Sequence, residues 1–204
     1  MAPYRVGLSG GIGSGKSEVA RYFSEEGAFV VDYDVLARVV VAPGSDGYHE
    51  IAARWPSVMT ALGEIDRAAL GKIVFSDEHA RQALNTIVHP RVRLLGNEME
   101  RQAARGQLIV HVVPLLFETG YDRRCDATIL VVAPLEERVA RVMARDGLSE
   151  ADVRKRISSQ ILPEAAARRA TYVLHNDSDL GTLRARAVEL ARTLTAQARE
   201  SVAP

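Results

Sequence analysis

Short runs of β-favouring apolar residues alternate along this chain with segments whose apolar positions recur every three to four residues. The runs fall at 5–9, 28–32, 108–113, 127–132 and 171–174. Two of them are almost wholly apolar, Ile109-Val110 through Val113 with only His111 between, and Ile129-Leu130-Val131-Val132, as expected for strands buried on both faces. Such alternation predicts an α/β fold, a parallel sheet covered by helices. Between Asp34 and Gly106 the strand rhythm stops. There Val92, Leu95 and Met99 share a helical face, with Arg93, Glu100 and Arg101 among the polar positions. This pattern predicts a mostly helical insertion at 34–106, set into an α/β core formed by 1–33 and 107–200. A last helix is expected from about Leu180 to Arg199, followed by a frayed end over the last five residues.

The junction after the first run carries the strongest chemical signal. Residues 6–17 read VGLSGGIGSGKS, which fits G-x-x-x-x-G-K-[ST] with Gly10, Gly15, Lys16 and Ser17 at the fixed positions. Glycines let the backbone curl with its N–H groups inward, and a helix starting near Ser17 adds its positive end. The cradle expected to hold a nucleoside triphosphate is therefore Gly11, Ile12, Gly13, Ser14, Gly15, Lys16 and Ser17. Lys16 is suited to bridge the β- and γ-phosphates of ATP, and Ser17 to offer its hydroxyl to Mg2+.

Composition narrows the partners. The chain has 204 residues and is 47% hydrophobic, enough for one α/β domain with a subdomain. Its 26 basic and 26 acidic residues cancel, so no overall field attracts nucleic acid or an anionic membrane, and phosphate recognition must be local. Asn85, Asn97 and Asn176 are not followed by lysine, so a guanine-reading N-K-x-D element is missing and a switch GTPase is excluded. Cys125 is the sole cysteine, which excludes an intramolecular disulfide and a cysteine metal cluster. No leader pattern or 18-residue apolar run occurs. A soluble, cytoplasmic protein without membrane or nucleic-acid partners is expected, monomeric or weakly homo-oligomeric.

Several further residues could carry chemistry. Asp32-Tyr33-Asp34 ends the second predicted strand, and in extended chain the two carboxylates point to the same side, toward the strand-end crevice. One could take a proton from an attacking hydroxyl; Asp34 could equally cap the helix that follows. Arg138, Arg141 and Arg145 share one side of a helix. They suit phosphoryl transfer, and they also fit a solvated face balanced by Glu136, Glu137 and Asp146. The stretch from Gly147 to Gln160, with Arg154, Lys155 and Arg156, reads as a closing lid over 146–165 or as an exposed salt-bridged helix. His89-Pro90 is expected to open a helix, with proline at its first position. Glu118 follows the third strand, and Asn176, after the last one, could bond a base or stabilise a turn.

Taken in order, GLSGGIGSGKS at 7–17, VVDYDVLARVVVAPG at 30–44, HP at 89–90, PLLFE at 114–118, ERVARVMARDGLSEADVRKRISSQ at 137–160 and YVLHN at 172–176 resemble the dephospho-coenzyme A kinases. That resemblance implies a P-loop kinase fold like that of the nucleoside monophosphate kinases, with a five-stranded parallel core, a helical coenzyme A-binding domain and a lid. It implies transfer of the ATP γ-phosphate to the ribose 3′-hydroxyl of dephospho-coenzyme A, the final step of coenzyme A synthesis. By position, Lys16 and Ser17 would serve ATP and Mg2+, and Asp34 would be the base. Arg145, with Arg138 or Arg141, would stabilise the transferring group. Asp32, Asp34, His89, Phe117 and Glu118 would form the acceptor site. Tyr33 stands where the family usually has a small residue, and Asp177-Ser178 stands where a glycine usually follows the asparagine.

Overall fold

The alternating pattern is realised as five strands and nine α-helices among the described residues, 3–201 of this computed structural model. In chain order the first half comprises β1 (Arg5–Gly10), α1 (Lys16–Glu25), β2 (Phe29–Asp32), α2 (Tyr33–Val39), α3 (Asp46–Arg54), α4 (Arg67–Ser76) and α5 (Glu78–Glu100). The second half comprises β3 (Ile109–Val112), β4 (Ala127–Val132), α6 (Leu135–Asp146), α7 (Glu150–Ser158), α8 (Pro163–Ala167), β5 (Tyr172–His175) and α9 (Leu180–Glu200). Two compact units result. A sheet unit takes in the chain through Asp32 and from Gln102 onward, and a helical unit spans Tyr33–Arg101.

The sheet unit has strand order β2-β3-β1-β4-β5 with every pairing parallel. Central β1 pairs Leu8 with Val112 on one side and Ile129 on the other. Flanking strands take up both of its edges and helices cover the sheet faces, which is why β1's neighbours read as almost wholly apolar runs. Helices α1 and α9 cover the sheet through Val19, Phe23, Leu183, Ala187, Ala191 and Leu194, all fully buried. Each large side chain buried here contributes about 1.5–3 kcal/mol relative to exposure. Parallel direction puts the carboxyl ends of β1 through β5 along one edge of the sheet, where α/β proteins bind ligands. Asp32 ends β2 and Gly10 ends β1 at that edge.

The helical unit builds its own core from Ile51, Val58, Leu70 and Ile87. Side-chain caps start its helices: Ser45 accepts from the Tyr48 N–H, Asp66 from Ala68 and Ala69, and Asp77 from His79 and Ala80. Two sequence expectations are corrected here. His89-Pro90 does not open a helix, because Asp77 caps α5 well upstream and Pro90 lies inside it. Proline removes one ladder bond. The helix continues because the buried stripe Ala80, Ile87, Val92 and Gly96 holds it, and Arg91 Nη1 donates to the Ile87 carbonyl beside the break at 2.7 Å. Nor do Asp32 and Asp34 share an extended segment. The strand stops at Asp32 and Tyr33 begins α2, so Asp34 lies in a first helical turn. Tyr33 is buried, and its hydroxyl lies where a Cβ on Gly96 would come within 2.9 Å. The aromatic ring is thus packed inside the helical unit. At the other end α9 runs to Glu200; the part of the expected frayed end from 202 onward lies outside the described residues.

Candidate active site

The loop between β1 and α1 owes its shape to left-handed glycines and to where its carbonyls go. Gly13 and Gly15 have φ of 77° and 93°, a region open to glycine but strained for other residues. A Cβ on Gly15 would also meet Asn176 Nδ2 at 2.4 Å. From Gly11 to Gly15 every carbonyl has a protein donor. Gly11 O accepts from Ser14 N at 3.0 Å, and Ile12 O from Arg138 Nε at 2.9 Å. Gly13 O accepts from Arg141 Nη1 at 3.4 Å, and Ser14 O from Asn176 Nδ2 at 2.8 Å. Gly15 O accepts from the N–H groups of Glu18 and Val19 at 3.0 and 3.2 Å.

In a trans peptide the N–H lies opposite the C=O. Carbonyls of Ile12 and Ser14 turned outward therefore turn the N–H groups of Gly13 and Gly15 into the concavity. The first turn of α1, whose N–H groups a helix leaves without intrahelical acceptors, opens beside them. Such a nest of N–H groups at a helix start binds phosphate, and a Cβ at Gly15 would collide with its wall. The residues present fit a triphosphate. Ser17, exposed in the first turn of α1, offers a hydroxyl of the kind Mg2+ takes up.

The three arginines of α6 have different surroundings. Arg138 is buried, grips the loop from behind and has its pKa pushed down by desolvation. Arg141 reaches the Gly13 carbonyl and pairs with Glu137 at 2.6 Å. Arg145, exposed in the last turn, forms two hydrogen bonds to Asp146, which hold its pKa up. In the segment beyond, Arg154 pairs with Glu136 and Glu150.

A cavity of about 630 Å3 adjoins the loop, lined by Gly10, Ser14, Phe117, Glu118, Arg138 and Gln160 among others. Phe117 is buried, and Glu118 Oε1 accepts from the Ile161 N–H at 3.3 Å. Asp32 sits at the strand edge of this unit, whereas Asp34 and His89 are exposed residues of the helical unit.

Of the two uses open for Asn176, the structure shows the turn-stabilising one: its amide holds the loop. Sequence reading missed the roles of Gln160 and Arg169. Gln160 Oε1 accepts from the Ile12 N–H at 2.9 Å. Arg169 donates to the Phe117 carbonyl at 2.7 Å and to both oxygens of Asp122, and so ties down the PLLFE segment. Gln160 closes a segment that carries the resemblance and Arg169 had no such signal, but the partners of both lie far away in sequence.

A five-stranded parallel sheet with this loop between β1 and α1 defines a phosphotransferase of the P-loop kinase class. A gluconokinase from Sinorhizobium meliloti shares the fold at 16% identity, with a TM-score of 0.51 and 98% of each chain covered. The match to TT1252 from Thermus thermophilus is stronger, at 40% identity and a TM-score of 0.85, covering 95% of this chain and 98% of that one. The family model for CoaE, dephospho-CoA kinase, matches residues 4–182. Dephospho-CoA kinases of Thermobifida fusca and Moorella thermoacetica are 43% and 45% identical. Those alignments cover 91% and 88% of this chain and 94% and 87% of theirs. The chain belongs to the dephospho-CoA kinase family. Among the described residues no helix is long and apolar enough to cross a membrane.

Proposed function

We propose that this chain transfers the γ-phosphoryl group of ATP to the ribose 3′-hydroxyl of dephospho-coenzyme A, giving coenzyme A and ADP. One observation carries the reading: the carbonyl-out, N–H-in loop in a chain of this family. Lys16 and the loop N–H groups hold the triphosphate, and Ser17 is the ligand for Mg2+. When bound, that ion neutralises charge on the phosphate oxygens. Asp34 accepts the proton of the ribose hydroxyl; it is an exposed residue in the first turn of α2, two positions past the strand end at Asp32.

Arg138 and Arg141, already on the loop, add positive charge behind the phosphates. Arg145 leaves Asp146 to meet the transferring group, a planar fork matched to its oxygens. Asp32, His89, Phe117 and Glu118 serve the acceptor. The helical stretch 34–106 is its binding domain, and 146–165, which contains α7 and the start of α8, is the lid.

The test is ADP release from ATP and Mg2+ with dephospho-coenzyme A, run beside AMP, CMP and adenosine. Turnover with dephospho-coenzyme A, with product mass raised by one phosphate, is expected; turnover confined to another acceptor would overturn the substrate. In the same assay Asp34→Asn should lose at least about 100-fold in kcat, the usual worth of a positioned base. Near-normal turnover in that variant would remove Asp34 from the proton transfer.

A further inference from the structure

Ile12, at the tip of the phosphate loop, is held by each of its polar groups and by its side chain. Its N–H donates to Gln160 Oε1 at 2.9 Å, and its carbonyl accepts from Arg138 Nε at 2.9 Å. Arg138 Nη2 also reaches Gln160 Oε1, at 3.4 Å. The side chain of Ile12 packs on the small core of Val139, Val142 and Val153, together with Leu148 and Ile157. Gln160 lies just past the end of α7, where its own N–H closes a turn onto the Ile157 carbonyl at 3.2 Å. Its backbone is therefore part of the helix end and not of a loose tail.

We infer that Gln160 is a positioning residue for nucleotide binding: it latches the end of α7 to the phosphate loop through the Ile12 N–H. The reasoning is geometric. Gln160 fixes the peptide between Gly11 and Ile12, and Arg138 fixes the next one through the Ile12 carbonyl. Two successive peptide planes are then set, and the second of them aims the Gly13 N–H into the phosphate concavity. Without the Gln160 oxygen the first plane keeps only the bond that the Gly11 carbonyl accepts from the Ser14 N–H at 3.0 Å, and part of the order in the nest must come from the nucleotide at the expense of affinity. A neutral amide suits the place. It accepts from both Ile12 and Arg138 without neutralising the guanidinium charge that the phosphates feel. Because the latch belongs to the segment that carries Arg154, Lys155 and Arg156, displacement of α7 releases the loop tip. Order in the loop and the position of α7 are thus coupled.

This inference rests on the reading that the loop binds ATP, so ATP binding to the wild-type chain is measured first by calorimetry. No binding there would sink that reading. With binding established, Gln160→Met keeps the side-chain length and removes the acceptor. It is expected to speed hydrogen exchange of the Ile12 amide at least about 10-fold and to weaken ATP binding about 10-fold, in line with one partly buried N–H losing its acceptor. In steady state the loss appears in KM for ATP, with KM for the acceptor unchanged. Gln160→Glu keeps an oxygen at the same reach and should return Ile12 exchange to within about threefold of wild type. Unchanged Ile12 exchange or unchanged ATP affinity in the Met variant overturns the latch. So does failure of the Glu variant to restore protection.

Discussion

The contact between Gly15 and Asn176 allows a quantitative test of how the phosphate loop is held. In Gly15→Ala two costs arise. Alanine at φ 93° is strained by about 1–2 kcal/mol. Its Cβ would also lie 2.4 Å from Asn176 Nδ2, so the amide must swing away. That breaks its 2.8 Å bond to the Ser14 carbonyl, and one buried polar group left unmet costs about 1–3 kcal/mol. Gly15→Ala should therefore destabilise by about 2–5 kcal/mol, and Asn176→Ala, which loses only the bond, by about 1–3 kcal/mol.

Combining the two does not add them. With the amide already gone, Cβ meets only Leu183 Cδ2 beyond, at 3.8 Å in ordinary contact. The double variant should therefore be about as unstable as Gly15→Ala alone, a coupling of about 1–3 kcal/mol. Urea unfolding of the four proteins, followed by circular dichroism with a shared m-value, measures this cycle. Additivity within about 0.5 kcal/mol would refute the claim that the amide and the glycine share one space.

Two further perturbations probe the scaffold. Burial pushes the Cys125 thiol up to about 12 from an ordinary 9.0. At pH 9 its thiolate fraction thus falls from about a half in the unfolded chain to about one in a thousand in the native one. Iodoacetamide should label native protein at pH 9 far more slowly than urea-unfolded protein, and equal rates would remove the burial argument. Because the folded value is raised, this thiol favours the native state below pH 9, and its contribution fades as pH climbs toward 12. In the helical unit, Gly96→Ala should gain up to about 1 kcal/mol of helix propensity. It should lose about 1–3 kcal/mol by crowding Tyr33, whose hydroxyl and Cζ would lie 2.9 and 3.3 Å from the new Cβ. Thermal melts should then show Gly96→Ala costing less in a Tyr33→Phe background, which removes the hydroxyl contact at 2.9 Å and keeps only the one to Cζ; an equal loss in both backgrounds would discard the notch.

The glycine loop was legible because its chemistry requires fixed spacing, and β3 and β4 most plainly of the strands because burial on both faces leaves their positions almost wholly apolar. Helix starts were read less well. Tyr33, a β-favouring residue, opens α2 because its ring finds room beside Gly96 in α5, a contact far along the chain. Pro90 looked like a helix start, yet the cap at Asp77 and a buried stripe on both sides of the proline outweigh one lost bond. Within α6, periodicity put three arginines on one side but could not tell that Arg138 is buried against Ile12 while Arg145 pairs with Asp146. Sequence separation explains the remainder. Asn176 reaches Ser14 from across the sheet, and Gln160 reaches Ile12 from the end of α7. Such pairs leave no periodic trace.

The same separation explains why the loop is stiff enough to act. A run of glycines in isolation would sample many conformations, and ordering it on a ligand would consume binding energy. Here the ordering is done beforehand by partners from three distant places: donors on α6 and in the turn after β5, and an acceptor at the end of α7. Each takes a carbonyl or N–H on the outer side and so sets the direction of the peptide dipole that faces the phosphates. Two of the donors are guanidiniums, whose charge stands behind the loop. For Arg138, burial also shields that charge from salt. A chain with no net charge thus concentrates positive potential at one short loop, already arranged before the nucleotide arrives. Preorganised dipoles of this kind stabilise developing charge without reorganising during the reaction. Mutations in the outer donors should accordingly be felt in nucleotide affinity and turnover even though none of their side chains needs to touch the reacting atoms.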